Sequence, residues 1–342
     1  MIDAGDLTVD VVRGAGPWTQ ALNDLGRHDF FHTFDFHRAS QGEGEGDPVA
    51  LVARVAGKAA GFWPMLERAI EGSDATDLVS VYGYAGPLFA EDVDSGQVVT
   101  AMREAWARTG AVSLFSRMHP LFVDQLESDL RGKPSGEVVV INVSSDDTPP
   151  SGYRGSHRRE INKLVEQGVT VDRRTDTEAL ALFVDIYHEQ MNALGAGARY
   201  YFGEPFYKAM MATRDFHTDI FLASLDGEPA AAAMFVTTGD VMQYFLSGTR
   251  TAHRKLATNK LLIARAHERA IETGVTRIVL GGGVGGEKDA LFKFKAGFSK
   301  STAPFHLVRE VLDTEAYARL CDERGIDAAA TSFFPAYRVP TC

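Results

Sequence analysis

The sequence predicts an α+β protein made of two similar units, each a mixed, largely antiparallel sheet flanked by helices. Runs of apolar–polar alternation meet at the dipeptides Asp226-Gly227 and Gly239-Asp240, as antiparallel strands joined by tight turns do. Between such runs lie segments of helical period, as in residues 261–274, where Leu262, Ala266 and Ala270 recur every four residues and Gly274 supplies the stop. Both halves also follow one order: strand, one or two helices, antiparallel meander, helix, strand. That is a duplicated α+β unit and not a short solenoid repeat.

A chain of 342 residues is about two domains' worth. The stretch SSDDTPPS at 144–151, small and acidic with two prolines, places the boundary, giving an N-terminal domain of 1–150 and a C-terminal domain of 151–342. With 45% hydrophobic and 24% charged residues the composition is that of an ordinary globular chain. No run approaches the roughly 20 apolar residues of a membrane span, and the acidic N-terminus lacks a signal-peptide core. The expectation is a cytoplasmic location without membrane insertion. Cys321 and Cys342 have no ligand spacing, so neither a disulfide framework nor a metal site is expected.

The net charge of −11 argues at first against a nucleic-acid partner. Residues 1–150 hold 11 Lys and Arg against 23 Asp and Glu, whereas residues 151–342 hold 24 against 23. The acidic excess thus belongs to the first half and says little about a ligand of the second.

In the first half, LTVDVVRG at 7–14 alternates as a strand and is followed by a helix around residues 18–25. The aromatic segment FFHTFDFHRAS at 30–40 follows His28. At four-residue spacing His28 and His32 would share a helical face as metal ligands do, but the setting reads as a segment docked into a core with histidines, His37 among them, at its rim. Residues 47–69 form a hairpin through Gly57-Lys58. Next, SVYGYAGPLF at 80–89 is a strand breaking into a glycine–proline turn with Tyr82 and Tyr84 at the break, each offering a flat face and a hydroxyl. A helix over 96–108 and the strands AVSLFSR and EVVVINVS close the half.

The second half opens on YRGSHRREINKLVE at 153–166, the densest basic cluster. Arg159 and Lys163 share a helical face there, while Ile161 and Leu164 point to a core. The strand VTVDRR, two helices, three strands over 218–248, the basic loop TRTAHRKLATNK at 249–260 and a helix lead to residues 276–300. In that stretch a short buried strand, 277–281, meets a glycine run that reads as a hinge. A cationic aromatic hairpin follows at Lys293-Phe294-Lys295 and Gly297-Phe298, suited to something negatively charged. A strand PFHLVREVL and a helix TEAYARLCDERG end the chain.

Gly281, Gly283 and Gly286 match G-x-G-x-x-G, but fewer than 60 residues follow, too few for the βαβαβ unit a dinucleotide needs. G-x-S-x-G, H-E-x-x-H and G-x-x-x-x-G-K-[ST] do not occur. The motifs FHTFDF at 31–36, YGYAGPLF at 82–89, SHRREINKLVEQGV at 156–169, RKLATNKLLIARAHERAIETG at 254–274 and KDALFKFKAGFS at 288–299 run through nearly the whole chain. In order and spacing they resemble the GNAT acyltransferase superfamily, and within it the Fem-type (FemABX-like) peptidyltransferases and their relatives in natural-product assembly. Phe294, Lys295 and Phe298 fit the F-K-x-x-F element of that branch.

The resemblance implies two tandem GNAT-like domains with the active site in a channel between them. It implies amide-forming transfer of an aminoacyl group from a charged tRNA to the amine of a small-molecule or peptide acceptor, such as a natural-product or cell-wall precursor, with no bound cofactor. Sister enzymes use acyl-CoA, and a catalytically silent GNAT-like binding module is a third reading. CoA enzymes hold pyrophosphate on backbone N–H groups in a loop R/Q-x-x-G-x-G/A. Here Ala257 and Asn259 stand where that loop expects glycine or a small residue, and their Cβ atoms obstruct the close approach, which favours aminoacyl-tRNA. On this reading Lys295 stabilises developing charge and Tyr244 orients the amine or protonates the leaving hydroxyl. Arg158, Arg159, Lys163, Arg254, Lys255, Asn259 and Lys260 hold the donor, and Phe34, Tyr82, Tyr84, Tyr201 and Phe294 the acceptor.

Overall fold

The computed structural model describes residues 7–126, 131 and 133–340. The first repeat runs β1 (Thr8–Val12), α1 (Ala15–Leu25), α2 (Phe34–Gly42), β2 (Asp47–Val55), β3 (Lys58–Ala69), β4 (Thr76–Val79), β5 (Leu88–Phe89), α3 (Ser95–Ala107) and β6 (Ala111–Arg117). After β7 (Pro134–Asn142) and α4 (Gly155–Glu166) the order recurs as β8 (Thr170–Arg174), α5 (Thr177–Leu194), α6 (Glu204–Ala212), β9 (His217–Leu225), β10 (Glu228–Thr238), β11 (Val241–Thr249), α7 (Asn259–Thr273) and β12 (Arg277–Gly281). Then come α8 (Ala290–Lys295), β13 (Thr302–Val311) and α9 (Thr314–Glu323).

The chain divides into two compact units, residues 1–135 with 305–342 and residues 136–304. These do not coincide with a division at residue 150 that gives everything beyond it to the second half. In the first unit β1, β2, β3 and β4 pair antiparallel in sequence order, β4 pairs parallel with β6, and β13 adds antiparallel to β6. The C-terminal segment is fastened there by Tyr337, whose hydroxyl bonds Ser113 (2.7 Å) and Asp77 (3.0 Å). Ala316, Leu320 and Cys321 of α9 share a core with Val112 and Ile70. Local periodicity marks β13 as a strand but carries no information about which sheet edge it joins.

The histidines of the aromatic segment lie inside this unit, not at its rim. His32 and His37 are fully buried, Trp18 Nε1 donates to the His32 carbonyl at 2.8 Å, and His119 Nε2 pairs with buried Asp29 at 2.8 Å. Among the described residues no group of three His, Cys, Asp or Glu side chains is placed to hold a metal ion.

The second unit repeats the plan. Strands β8, β9, β10 and β11 are antiparallel neighbours in order, β11 pairs parallel with β12, and β7 completes the sheet antiparallel to β12. Asp226 and Gly227, at φ 53 and 84, form the two-residue turn that the strand twist favours. Helix α5 is capped by the Asp176 side chain and ended by left-handed Gly195, and it buries Leu180, Phe183, Ile186 and Tyr187 at helical spacing. It lies so close to β11 that a Cβ on Gly248 would stand 2.7 Å from the Ile186 carbonyl. On the other face Leu262, Ala266 and Ala270 of α7 are fully buried. Tyr153 anchors the start of α4 to α7 through a 2.8 Å bond between its hydroxyl and His267 Nδ1.

Candidate active site at the splayed end of the second sheet

Parallel strands β11 and β12 pair at only three positions, ending with Gln243 and Val279. Just beyond, the register of β11 on β10 slips by one: Tyr244 faces Phe235 but Leu246 faces Met234, leaving Phe245 as a bulge. A bulge bends and twists its strand, and the rest of β11 diverges from β12 from this point. Tyr244 sits at the fork, its ring 5.2 Å from Phe235 and its hydroxyl donating to Ser247 Oγ at 2.6 Å. Burial holds its phenol up at about 12, so it is neutral at ordinary pH.

At the open end the chain passes through a 3-10 turn, Thr251–Leu256, into α7. Glu189 of α5 pins that turn by accepting from the Thr251 N–H (2.7 Å) and from Arg250 (2.8 Å). Ala257 then adopts φ 53, the left-handed conformation that favours glycine. A cavity of about 460 Å³ opens against this corner, lined by Gln190, Leu194, Thr249, Arg254, Ala257, Asn259, Lys260 and Phe294. Asn259 donates to Thr249 Oγ1 at 3.2 Å while its buried Oδ1, like Thr258 Oγ1, meets no partner among the described residues. Lys260 is paired with Glu160 of α4. Arg254 is exposed and has no partner among the described residues. With the positive end of the α7 dipole, it makes the corner favourable for an anion.

The segment after β12 is a helix, α8, and not a hairpin. Asp289 caps it by accepting from Phe292 N at 2.9 Å and also takes Val284 N at 3.1 Å. Nor is the glycine run a hinge: a Cβ on Gly283 would stand 2.1 Å from the Glu287 carbonyl and one on Gly282 2.6 Å from that of Glu137. Gly282 and Gly283 are there because the corner is close-packed, and Gly281, Gly285 and Gly286 because their φ angles are positive. Phe294 faces the cavity, and Lys295 donates to the Gly282 carbonyl at 2.8 Å. Lys295 is 9% exposed; burial pushes its ammonium down to about 8, with Asp289 opposing.

His157 of α4 fixes this helix. It is buried, its Nε2 donates to the Phe294 carbonyl at 2.9 Å, and its ring packs on Phe298 with centroids 4.7 Å apart. Burial lowers its pKa, so it stays neutral near pH 7. A Cβ on Gly297 would stand 2.2 Å from His157 Nε2, and Arg154 N donates to the Gly297 carbonyl at 2.8 Å.

Residues 151–293 match the acetyltransferase (GNAT) domain family. In fold the chain is similar to FemX, at 12% identity, covering 91% of this chain and 99% of that one with a TM-score of 0.68. It is also similar to the C-terminal domain of a putative lysylphosphatidylglycerol synthetase from Agrobacterium fabrum (15% identity, 85% and 90% covered, TM-score 0.56). A third likeness is to L-PGS from Bacillus licheniformis (13% identity, 78% and 86% covered, TM-score 0.53). No curated protein matches the sequence. The fold is that of the GNAT superfamily. Residues 151–293 carry the match to the GNAT domain family, and the chain as a whole is similar in fold to FemX.

Within the second GNAT unit, Arg254, Asn259, Lys260 and Phe294 line one cavity. Lys255 is exposed beside it in sequence, and Arg158, Arg159 and Lys163 lie on the exposed face of α4. Arg158 also donates to the Ser151 carbonyl at 3.3 Å. Tyr201 bonds Asn192 at 2.9 Å and lies 5.5 Å from the His188 ring. The other three aromatic candidates belong to the first unit. Phe34 is 9% exposed and packs on Trp18 at 5.4 Å, so its ring is occupied with core contacts. Tyr82 is half-buried, and Tyr84 packs between Phe31 (6.0 Å) and Phe305 (5.4 Å).

Sequence reasoning passed over His157, Glu160, Gln190 and Thr249 as site residues. For His157 a signal existed: with Ile161 and Leu164 it occupies the apolar i, i+4, i+7 stripe of α4, where a histidine needs a buried partner. Asp289 before an apolar run was likewise a cap signal for α8. Nothing local marks Gln190, whose Oε1 accepts from Thr249 N at 2.7 Å.

Proposed function

We propose that the second unit forms amide bonds by moving an aminoacyl group from the end of a charged tRNA to the amine of a small-molecule or peptide acceptor. The observation that carries the choice of donor is Ala257. At the start of α7 Ala257 takes the left-handed conformation that favours glycine and lines the cavity, so its methyl group stands where a backbone cradle for pyrophosphate needs close approach. A single phosphodiester reaching the Arg254 guanidinium needs less of that backbone.

In the proposed step the neutral acceptor nitrogen attacks the ester carbonyl carbon, and a C–N bond forms as charge builds on the carbonyl oxygen. Lys295, held on a close-packed corner with its ammonium partly stripped of water, is suited to stabilise that oxyanion. Collapse breaks the C–O bond, and the proton lost by nitrogen ends on the ribose hydroxyl. Tyr244, a neutral phenol at the fork, is suited to orient the amine or to pass that proton once it leaves Ser247. The test is donor consumption. Purified protein, amine acceptors and either labelled aminoacyl-tRNA or acetyl-CoA are incubated and amide products detected by mass. Deacylation of tRNA with a matching amide is expected; turnover of acetyl-CoA alone, or of neither donor, refutes the proposal.

A further inference from the structure

The cavity of the second unit carries two cations in different states. Among the described residues Arg254 stands unpaired, whereas the Lys260 ammonium is engaged by Glu160, a residue outside the cavity lining. The lysine side chain is 12% exposed and the glutamate 44%, so the carboxylate reaches from the solvent side onto a mostly buried cation. Glu160 sits on α4 three residues after His157, whose bond to the carbonyl of Phe294, a lining residue, ties the same helix to the cavity. The carboxylate is therefore a fixed neighbour of the ligand space.

We propose that Glu160 sets the charge selectivity of this cavity: by neutralising Lys260 it leaves Arg254 as the net cation, so that a singly charged phosphodiester is accepted and a pyrophosphate-bearing ligand is rejected. This deepens the proposed function and rests on its reading of the cavity as the donor's phosphate site. The second charge of a pyrophosphate bound through Lys260 would meet the Glu160 carboxylate at close range, and like charges sharing one ammonium are mutually destabilising. Steric exclusion by the Ala257 methyl and electrostatic exclusion by Glu160 thus act on the same class of ligand. A purely structural Glu160, serving only to orient Lys260, makes the opposite prediction, because its loss would then weaken every anion.

Wild type, Glu160→Gln, Lys260→Gln and the double variant are titrated by calorimetry with inorganic pyrophosphate and with the dinucleotide cytidylyl-adenosine at fixed ionic strength. Thermal melts verify that each variant is folded, and Glu160→Ala serves as a second removal of the charge. Glu160→Gln is expected to bind pyrophosphate at least about tenfold more tightly than wild type, and the dinucleotide by no more than about threefold. The gain should vanish when Lys260 is already Gln. Equal or weaker pyrophosphate binding by Glu160→Gln, an equal gain for the dinucleotide, or a gain that survives Lys260→Gln would overturn the inference. Binding is read without catalysis, so a selectivity change in a protein that fails to consume aminoacyl-tRNA sinks the proposed reaction and leaves this inference standing.

Discussion

Replacing Lys295 by Met removes a buried charge while keeping an unbranched chain of similar volume. The ammonium is 9% exposed, with the Gly282 carbonyl as its hydrogen-bond partner, and burial takes its pKa from 10.5 to about 8. At about 1.4 kcal/mol per pH unit, that fall corresponds to a folding penalty of about 3 kcal/mol. Between about pH 8 and 10.5 the unfolded chain still holds a proton that the folded chain has released, so stability rises with pH through this window and the full penalty applies below it. Met escapes the penalty but forfeits a hydrogen bond worth about 1 kcal/mol. Lys295→Met should therefore be about 2 kcal/mol more stable than wild type near pH 7, with the advantage gone by about pH 10. Urea unfolding followed by far-UV circular dichroism at the two pH values measures this. Trp18, Trp63 and Trp106 all lie in the first unit, so their fluorescence follows that unit separately. The same variant should lose at least about tenfold in kcat/KM, or about 1.4 kcal/mol of transition-state binding. A variant less stable than wild type near pH 7, or a difference indifferent to pH, refutes the reasoning about burial; undiminished turnover makes Lys295 a structural lysine.

Gly297→Ala puts a methyl 2.2 Å from His157 Nε2 and must break the bond that fixes α8, at a cost of about 2 kcal/mol; an unchanged unfolding midpoint for the second unit would contradict this. In the first unit, burial depresses His37 to about 4 and His32 well below 6.5. As pH falls from about 6.5 towards 4 the unfolded chain takes up protons that the folded unit refuses, so stability is lost, by up to about 3 kcal/mol from His37 alone. Tryptophan fluorescence should record a falling denaturation midpoint across that range, and a flat response would be inconsistent with neutral buried histidines. Reversing Arg158 and Arg254 to Glu should weaken transfer and flatten its salt dependence; unchanged kinetics would remove tRNA from the scheme.

What the sequence by itself determined is local. Alternation, helical spacing and turn dipeptides marked the strands and helices of both repeats. Gly274 and Asp226-Gly227 stop and turn the chain where their backbone freedom is needed. The basic loop before α7 also pointed to the cavity, because Arg254, Asn259 and Lys260 are close in sequence as well as in space. The tertiary structure decided what depends on distant partners. Strand β7 follows the first repeat yet completes the second sheet, and β13 follows the second repeat yet joins the first. His157 meets the carbonyl of a residue 137 positions away, and Glu160 cancels a lysine 100 positions away. Neither contact leaves a periodic trace, since periodicity records which face of an element is buried and not what it is buried against. The charge of the cavity is such a property: a sequence count gives it two cations, and the fold pairs Lys260 with Glu160 while Arg254 has no partner among the described residues.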